Sequence, residues 1–316
     1  MSLSFFWMDY MAETTEQPVV VHSVWYKKIP TLLTIGNSLC GFTAILWCLQ
    51  AYERSILKSS GGSILKGDQP DPTFLPEIFA ACAWLILFAM IFDALDGWTA
   101  RKLKATSLHG IQMDSLADMV TFGVAPAVVV AISAHINALG KPSYIVDGLL
   151  RYDRMVWLSC GIYMACAACR LALYNVHAIE EKKSENFSGI PSPGAAAAVC
   201  SIIIINSTNL NLPEWVMTIV LPIYTATLGV LMISTIPYPH MGKWLISPVK
   251  RNRKLILLAA IVLIAAAEHI RFEHGPKLTA AVLVTVYVLS GPIKYFYKWV
   301  TGKNIPNDDE HLEEDI

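Results

Sequence analysis

The chain has 316 residues, is 54% hydrophobic and 16% charged, and combines a mean hydropathy of +0.48 with a formal net charge of -1. So much apolar surface excludes an ordinary soluble domain of this length, and the near-neutral charge gives no reason to expect a nucleic-acid partner; the composition suits an all-α, polytopic membrane protein. All seven cysteines fall in apolar segments, where they read as small buried side chains rather than a disulfide framework, and Cys166-Ala-Ala-Cys169 reads as helix packing.

In chain order, Met1 to Tyr26 is a leader in which Asp9, Glu13 and Glu16 interrupt the apolar residues, and it lacks the basic start and unbroken apolar run of a signal peptide. A first membrane span is expected from Ile29 to about Gln50, followed by a polar loop from Ala51 to Pro76. A second span runs from about Ile78 to Ala100 and stops at Arg101-Lys-Leu-Lys104, and a third runs from Gly110 to about His135. After a loop from Asn137 to Arg154, further spans are expected at Met155 to Val176, Pro193 to Asn206 and Pro213 to Thr235. Two more apolar runs, Leu255 to Ala267 and Leu278 to Tyr295, follow the basic segment Lys250 to Lys254, which reads as an anchor at anionic headgroups. Glu268 and His269 read as interfacial, and the acidic run from Asp308 to Asp315 as a solvated, disordered tail. The total is about eight spans. Placing both termini in the cytoplasm puts the larger share of Lys and Arg on that side, as the positive-inside rule requires.

Four carboxylates break this pattern. Asp93, Asp96, Gly97 and Ala100 fall on one face of the second span, and Gly110, Asp114 and Asp118 on one face of the third, on either side of a short cytoplasmic turn. An ionisable side chain within a span costs roughly 2.5–3.5 kcal/mol even on the lenient insertion scale, so four of them imply a function or a bound cation. At 1.5 Å per residue they lie roughly 8–15 Å deep, with Asp96 level with Asp114 and Asp93 level with Asp118. A set of carboxylates without His or Cys favours hard cations such as Mg²⁺, Mn²⁺ or Ca²⁺ over zinc, and two such ions could clamp a phosphoryl group. Gly97 and Gly110 clear space for a nucleotide or a facing backbone, and Arg101 sits at the water boundary where it can meet phosphate.

The spacing Asp93-x2-Asp96-Gly97-x2-Ala100-Arg101-x8-Gly110-x3-Asp114-x3-Asp118 resembles the full signature of the CDP-alcohol phosphotransferases, membrane enzymes of phospholipid synthesis. The resemblance implies a six-helix catalytic core, to which the chain adds two C-terminal helices. It covers the phosphotransferase membrane domain at 29–239; the leader at 1–28, the two extra helices at 240–303 and the acidic tail at 304–316 lie outside it. By position, Asp93, Asp96, Asp114 and Asp118 would bind two divalent cations, Mg²⁺ or Mn²⁺, and Asp118 would also act as the base. Asn37, Gly97, Ala100, Arg101 and Gly110 would shape the CDP site.

Four further stretches are similar to the phosphatidylserine synthase branch: Ile29 to Gly41, Arg170 to Asn175, Gly189 to Ala197, and Ser234 to Pro239. They imply CDP-diacylglycerol and L-serine as substrates, phosphatidylserine and CMP as products, a homodimer, and a multi-pass protein of a bacterial-type cytoplasmic membrane with its site facing the cytoplasm. The chain departs from the branch at Leu173, where relatives carry a second Arg.

Some readings stay open at this stage. Arg170 could meet the serine carboxylate or a substrate phosphate, or else pair with an aspartate or snorkel to the interface. Asn37 could meet the nucleotide or bond another helix, with Gly41 one turn on allowing close packing. The acceptor could be glycerol 3-phosphate or an inositol phosphate, and the donor an archaeal-type ether lipid. An ion-coupled transporter is the competing class, although the chain shows no internal repeat and its acids lie near one surface.

Overall fold

A computed structural model of the chain describes residues 28–59, 74–103, 107–138, 146–179, 189–207, 212–236, 238 and 277–301. Among these residues every regular element is helical. They are α1 (Ile29–Ser59), α2 (Phe74–Lys102), α3 (Leu108–Asp118), a π-helical turn (Met119–Val124), α4 (Ala125–Ala138), α5 (Val146–Ile179), α6 (Ser192–Asn206), a second π turn (Val216–Val220), α7 (Leu221–Ile233) and α8 (Lys277–Thr301). Five helical stretches are long and apolar enough to cross a bilayer: Ile29–Ile56, Phe74–Lys102, Leu108–Ala138, Asp153–Val176 and Val216–Ile233. The protein is therefore a multi-pass helical membrane protein.

Several expected limits move outward. The loop expected from Ala51 is helical to Ser59, because no Gly or Pro interrupts Tyr52-Glu-Arg54 and Ala51 is buried in the bundle. The Arg54 guanidinium then lies 4.9 Å from the centre of the Phe74 ring, at the start of α2. α2 itself begins four residues before Ile78, with Pro76 in its first turn, where a missing N–H costs nothing. The loop expected from Asn137 to Arg154 is mostly helix, since α4 reaches Ala138 and α5 starts at Val146. His135 Nδ1 lies 3.0 Å from Asp153 Oδ1 across that turn, and the Tyr52 ring meets His135 edge-on at 5.8 Å, joining α1, α4 and α5 at this end. The leader, the run Leu255 to Ala267, the basic segment Lys250 to Lys254, Glu268, His269 and the acidic tail lie outside the described residues.

The core is built from small side chains that let helices approach, as membrane packing demands. α6, with Ala195 to Ala198, Val199 and Cys200 all buried, is the central pillar, packed against α2, α7 and α8. α1 lies along both α2 and the α3–α4 rod. A Cβ on Gly41 would stand 2.7 Å from the Thr121 Cα, so only glycine permits this crossing. Five cysteines are buried and unpaired as expected, Cys40 is half-buried, and Cys169 faces outward.

Both π turns precede a proline, Pro126 and Pro222, by two residues. Proline has no N–H for the carbonyl four residues earlier and crowds it, and widening the preceding turn relieves both problems. The Phe122 carbonyl, four residues before Pro126, accepts instead from the Tyr163 hydroxyl at 2.8 Å.

Candidate metal centre

The acids meet where the C-terminal third of α2 faces α3. Ser107 caps α3, its hydroxyl accepting from Gly110 N at 3.0 Å, which fixes the direction in which the helix leaves the turn. Helical periodicity then brings Asp114 and Asp118 toward Asp93 on α2. One carboxylate oxygen from each of these three lies within 4.8 Å of the others. Asp96 stands beside them, only 3% exposed, with Oδ2 accepting from Thr34 Oγ1 at 2.9 Å. Asp118 is 8% exposed, and its Oδ1 accepts from Asn37 Nδ2 at 2.9 Å.

Four carboxylates in so small a volume repel one another, and burial denies them the water that would otherwise screen them. Asp114 Oδ1 and Asn37 Oδ1 are buried acceptors without a donor among the described residues. Crowded carboxylate oxygens, with buried acceptors left without a donor among them, form the environment of a hard cation, so the residues present fit one.

The expected nucleotide residues surround this cluster. The Arg101 guanidinium curls back over Gly97, where a Cβ would come within 3.5 Å of Nη1. Ala100 is half-buried, Arg101 exposed and Gly110 half-buried in the first turn of α3. Asn37 is fully buried, with its amide on Asp118.

Arg170 is half-buried on α5, and its Nη1 donates to the Met232 carbonyl at 3.1 Å near the end of α7. On the same helix Tyr163 bonds Phe122, and Asn175 accepts from Ser115 at 2.8 Å, beside Asp114. Leu173 is exposed.

The described residues of two further stretches, Gly189 to Ala197 and Ser234 to Ile236 with Tyr238, come together. Gly189, at φ 93°, donates to Ile236 O at 2.8 Å, and Ile190 donates to Leu231 O at 3.1 Å. Tyr287 of α8 presses on Gly194, and Tyr238 bonds the Val288 carbonyl at 3.1 Å while its ring lies on Gly291.

Thr34 and the Ser115–Asn175 pair were not singled out by sequence reasoning. A signal for Thr34 was present, since it lies three residues before Asn37 on one face of an otherwise apolar span.

Known proteins share this stretch of chain. The family model described as CDP-alcohol phosphatidyltransferase matches residues 27–231. A CDP-diacylglycerol–serine O-phosphatidyltransferase of Helicobacter pylori is 30% identical over 222 residues, covering 70% of this chain and 82% of the relative. An archaetidylserine synthase of Methanothermobacter thermautotrophicus is 31% identical over 222 residues, covering 68% and 71%. A CDP-diacylglycerol–serine O-phosphatidyltransferase of Mycobacterium leprae is 28% identical over 305 residues, covering 95% and 85%, so that match extends past residue 239.

Proposed function

The chain belongs to the CDP-alcohol phosphatidyltransferase family, and we propose that it transfers the phosphatidyl group of CDP-diacylglycerol to L-serine, giving phosphatidylserine and CMP. Family membership sets the transporter reading aside. The observation that carries the proposal is the convergence of Asp93, Asp114 and Asp118 beside Asp96 at one end of the bundle, in a chain whose relatives are named for serine.

Asp93, Asp96, Asp114 and Asp118 would hold two divalent cations, Mg²⁺ or Mn²⁺. When bound, such ions supply charge neutralisation for the pyrophosphate and for the departing CMP. Arg101, over Gly97, meets the phosphates, while Gly97, Ala100 and Gly110 leave room for the nucleotide, and Asn37 closes the inner wall. Asp118 takes the proton from the serine hydroxyl as its oxygen bonds to the lipid-bearing phosphorus, and the bond from that phosphorus to CMP breaks. Arg170, on α5, receives the serine carboxylate or a phosphate oxygen. The active domain spans 29–239 with its site toward the cytoplasm, in a bacterial-type cytoplasmic membrane, and the protein works as a homodimer. Of the extra helices expected at 240–303, α8 packs beside α6, with Tyr287 against Gly194 and the Val288 carbonyl accepting from Tyr238.

A second donor has a specific basis. The likeness to an archaetidylserine synthase favours testing a CDP-linked ether lipid alongside the diacyl form. The deciding experiment measures CMP release by purified protein from each donor, with serine, glycerol 3-phosphate or inositol phosphate, with Mg²⁺ or Mn²⁺ or with chelator. Release is expected with serine and metal, and Asp118→Asn is expected to lower it at least 100-fold. Release only with another alcohol would overturn serine as the acceptor, and release that persists in chelator would overturn the metal centre.

A further inference from the structure

Thr34 and Asn37 lie one helical turn apart on α1, yet they hold acids that belong to two different helices. Thr34 Oγ1 donates to Asp96 Oδ2 on α2, and Asn37 Nδ2 donates to Asp118 Oδ1 on α3, each at 2.9 Å. All four side chains are buried. The Thr34 hydroxyl also lies 3.0 Å from the Pro30 carbonyl, but it carries one hydrogen and can satisfy one acceptor at a time, and an ionised carboxylate is the stronger of the two. Neutral donors are suited to this place. A Lys or Arg would compete with a cation for the carboxylate charge, whereas a hydroxyl and an amide stop each carboxylate from rotating without bringing a positive charge of their own.

We infer that Thr34 and Asn37 are positioning residues of the metal centre, holding Asp96 and Asp118 so that their remaining oxygens face the cations. The inference rests on reading the four acids as metal ligands. It also gives α1 a role that packing alone does not require, because the crossing with the π turn is already secured by Gly41 and by Thr121 Oγ1, which donates to the Asn37 carbonyl at 3.0 Å.

The test is Mn²⁺ affinity of the full chain in detergent, read from the electron paramagnetic resonance of free Mn²⁺, with no lipid substrate present. Outer partners of ligating carboxylates typically contribute 10–100-fold in affinity, so Thr34→Val and Asn37→Leu are expected to weaken binding by about that factor. Thr34→Ser, which keeps the hydroxyl, should stay within about threefold of the parent. If the valine variant does not fold, Thr34→Ala makes the same comparison without a misplaced methyl. Folded Val or Ala and Leu variants that bind Mn²⁺ as the parent does would reduce both contacts to helix packing and overturn the inference. A parent chain that takes up no Mn²⁺ would overturn the metal centre itself, a result distinct from a loss confined to the variants.

Discussion

At the scale of single residues, the centre depends on how near α1 can come. Gly41 has the Thr121 backbone where a side chain would be, with 2.7 Å between a notional Cβ and the Thr121 Cα. Gly41→Ala is expected to push α1 outward and destabilise the fold by about 1–3 kcal/mol, the usual range for overpacking. The same shift draws Asn37 from Asp118, and displacements near 1 Å can cost on the order of 100-fold in rate. A melt in detergent combined with the CMP assay checks both effects, and an alanine variant with parental melting and turnover would show that the crossing is looser than the structure has it. Thr34 shows why residue-level partners elude a sequence reading. Its hydroxyl meets an acid 62 positions away, and nothing local marks that pairing. The four acids were legible because charge inside an apolar run is costly and visible in one dimension.

At the scale of elements, the helices that cross the bilayer were readable and their polar extensions were not. The end of α6 at Asn206 falls where hydropathy puts it. The last turns of α1 and the first turns of α5 leave no such trace, because helix outside the hydrocarbon carries no hydropathy signal. The π turns escaped as well, since one extra residue per turn changes register without changing composition. That register matters: an added residue rotates the downstream helix by about 100° relative to the upstream one, and the turn at Met119–Val124 begins immediately after Asp118. Tyr163 supports it by bonding the Phe122 carbonyl. Tyr163→Phe leaves that buried acceptor unpaired and is expected to destabilise the protein by about 1–3 kcal/mol, seen as a lower melting temperature at unchanged Mn²⁺ concentration. A phenylalanine variant that melts with the parent would mean the carbonyl is satisfied by other means.

At the scale of the whole molecule, the acid cluster makes stability depend on what occupies it. A ligand held only by the folded state at 100 times its Kd adds about 2.7 kcal/mol, so saturating Mn²⁺ should raise the melting temperature by several degrees over chelator. Asp93→Asn removes one of the mutually repelling charges, so it should melt higher than the parent in chelator and gain little from Mn²⁺. A parent chain with the same melting temperature in both buffers would contradict this coupling. The chain order of the site has a further consequence. Every group assigned to the cations lies between Thr34 and Asp118, whereas Arg170, Gly189, Tyr238 and Tyr287 all come later in the chain. During synthesis every proposed cation ligand is therefore present after three passes, before the helix that bears Arg170 exists. Over evolutionary time, the later half could be rewritten for a new alcohol while the earlier half, with its chemistry intact, was inherited unchanged.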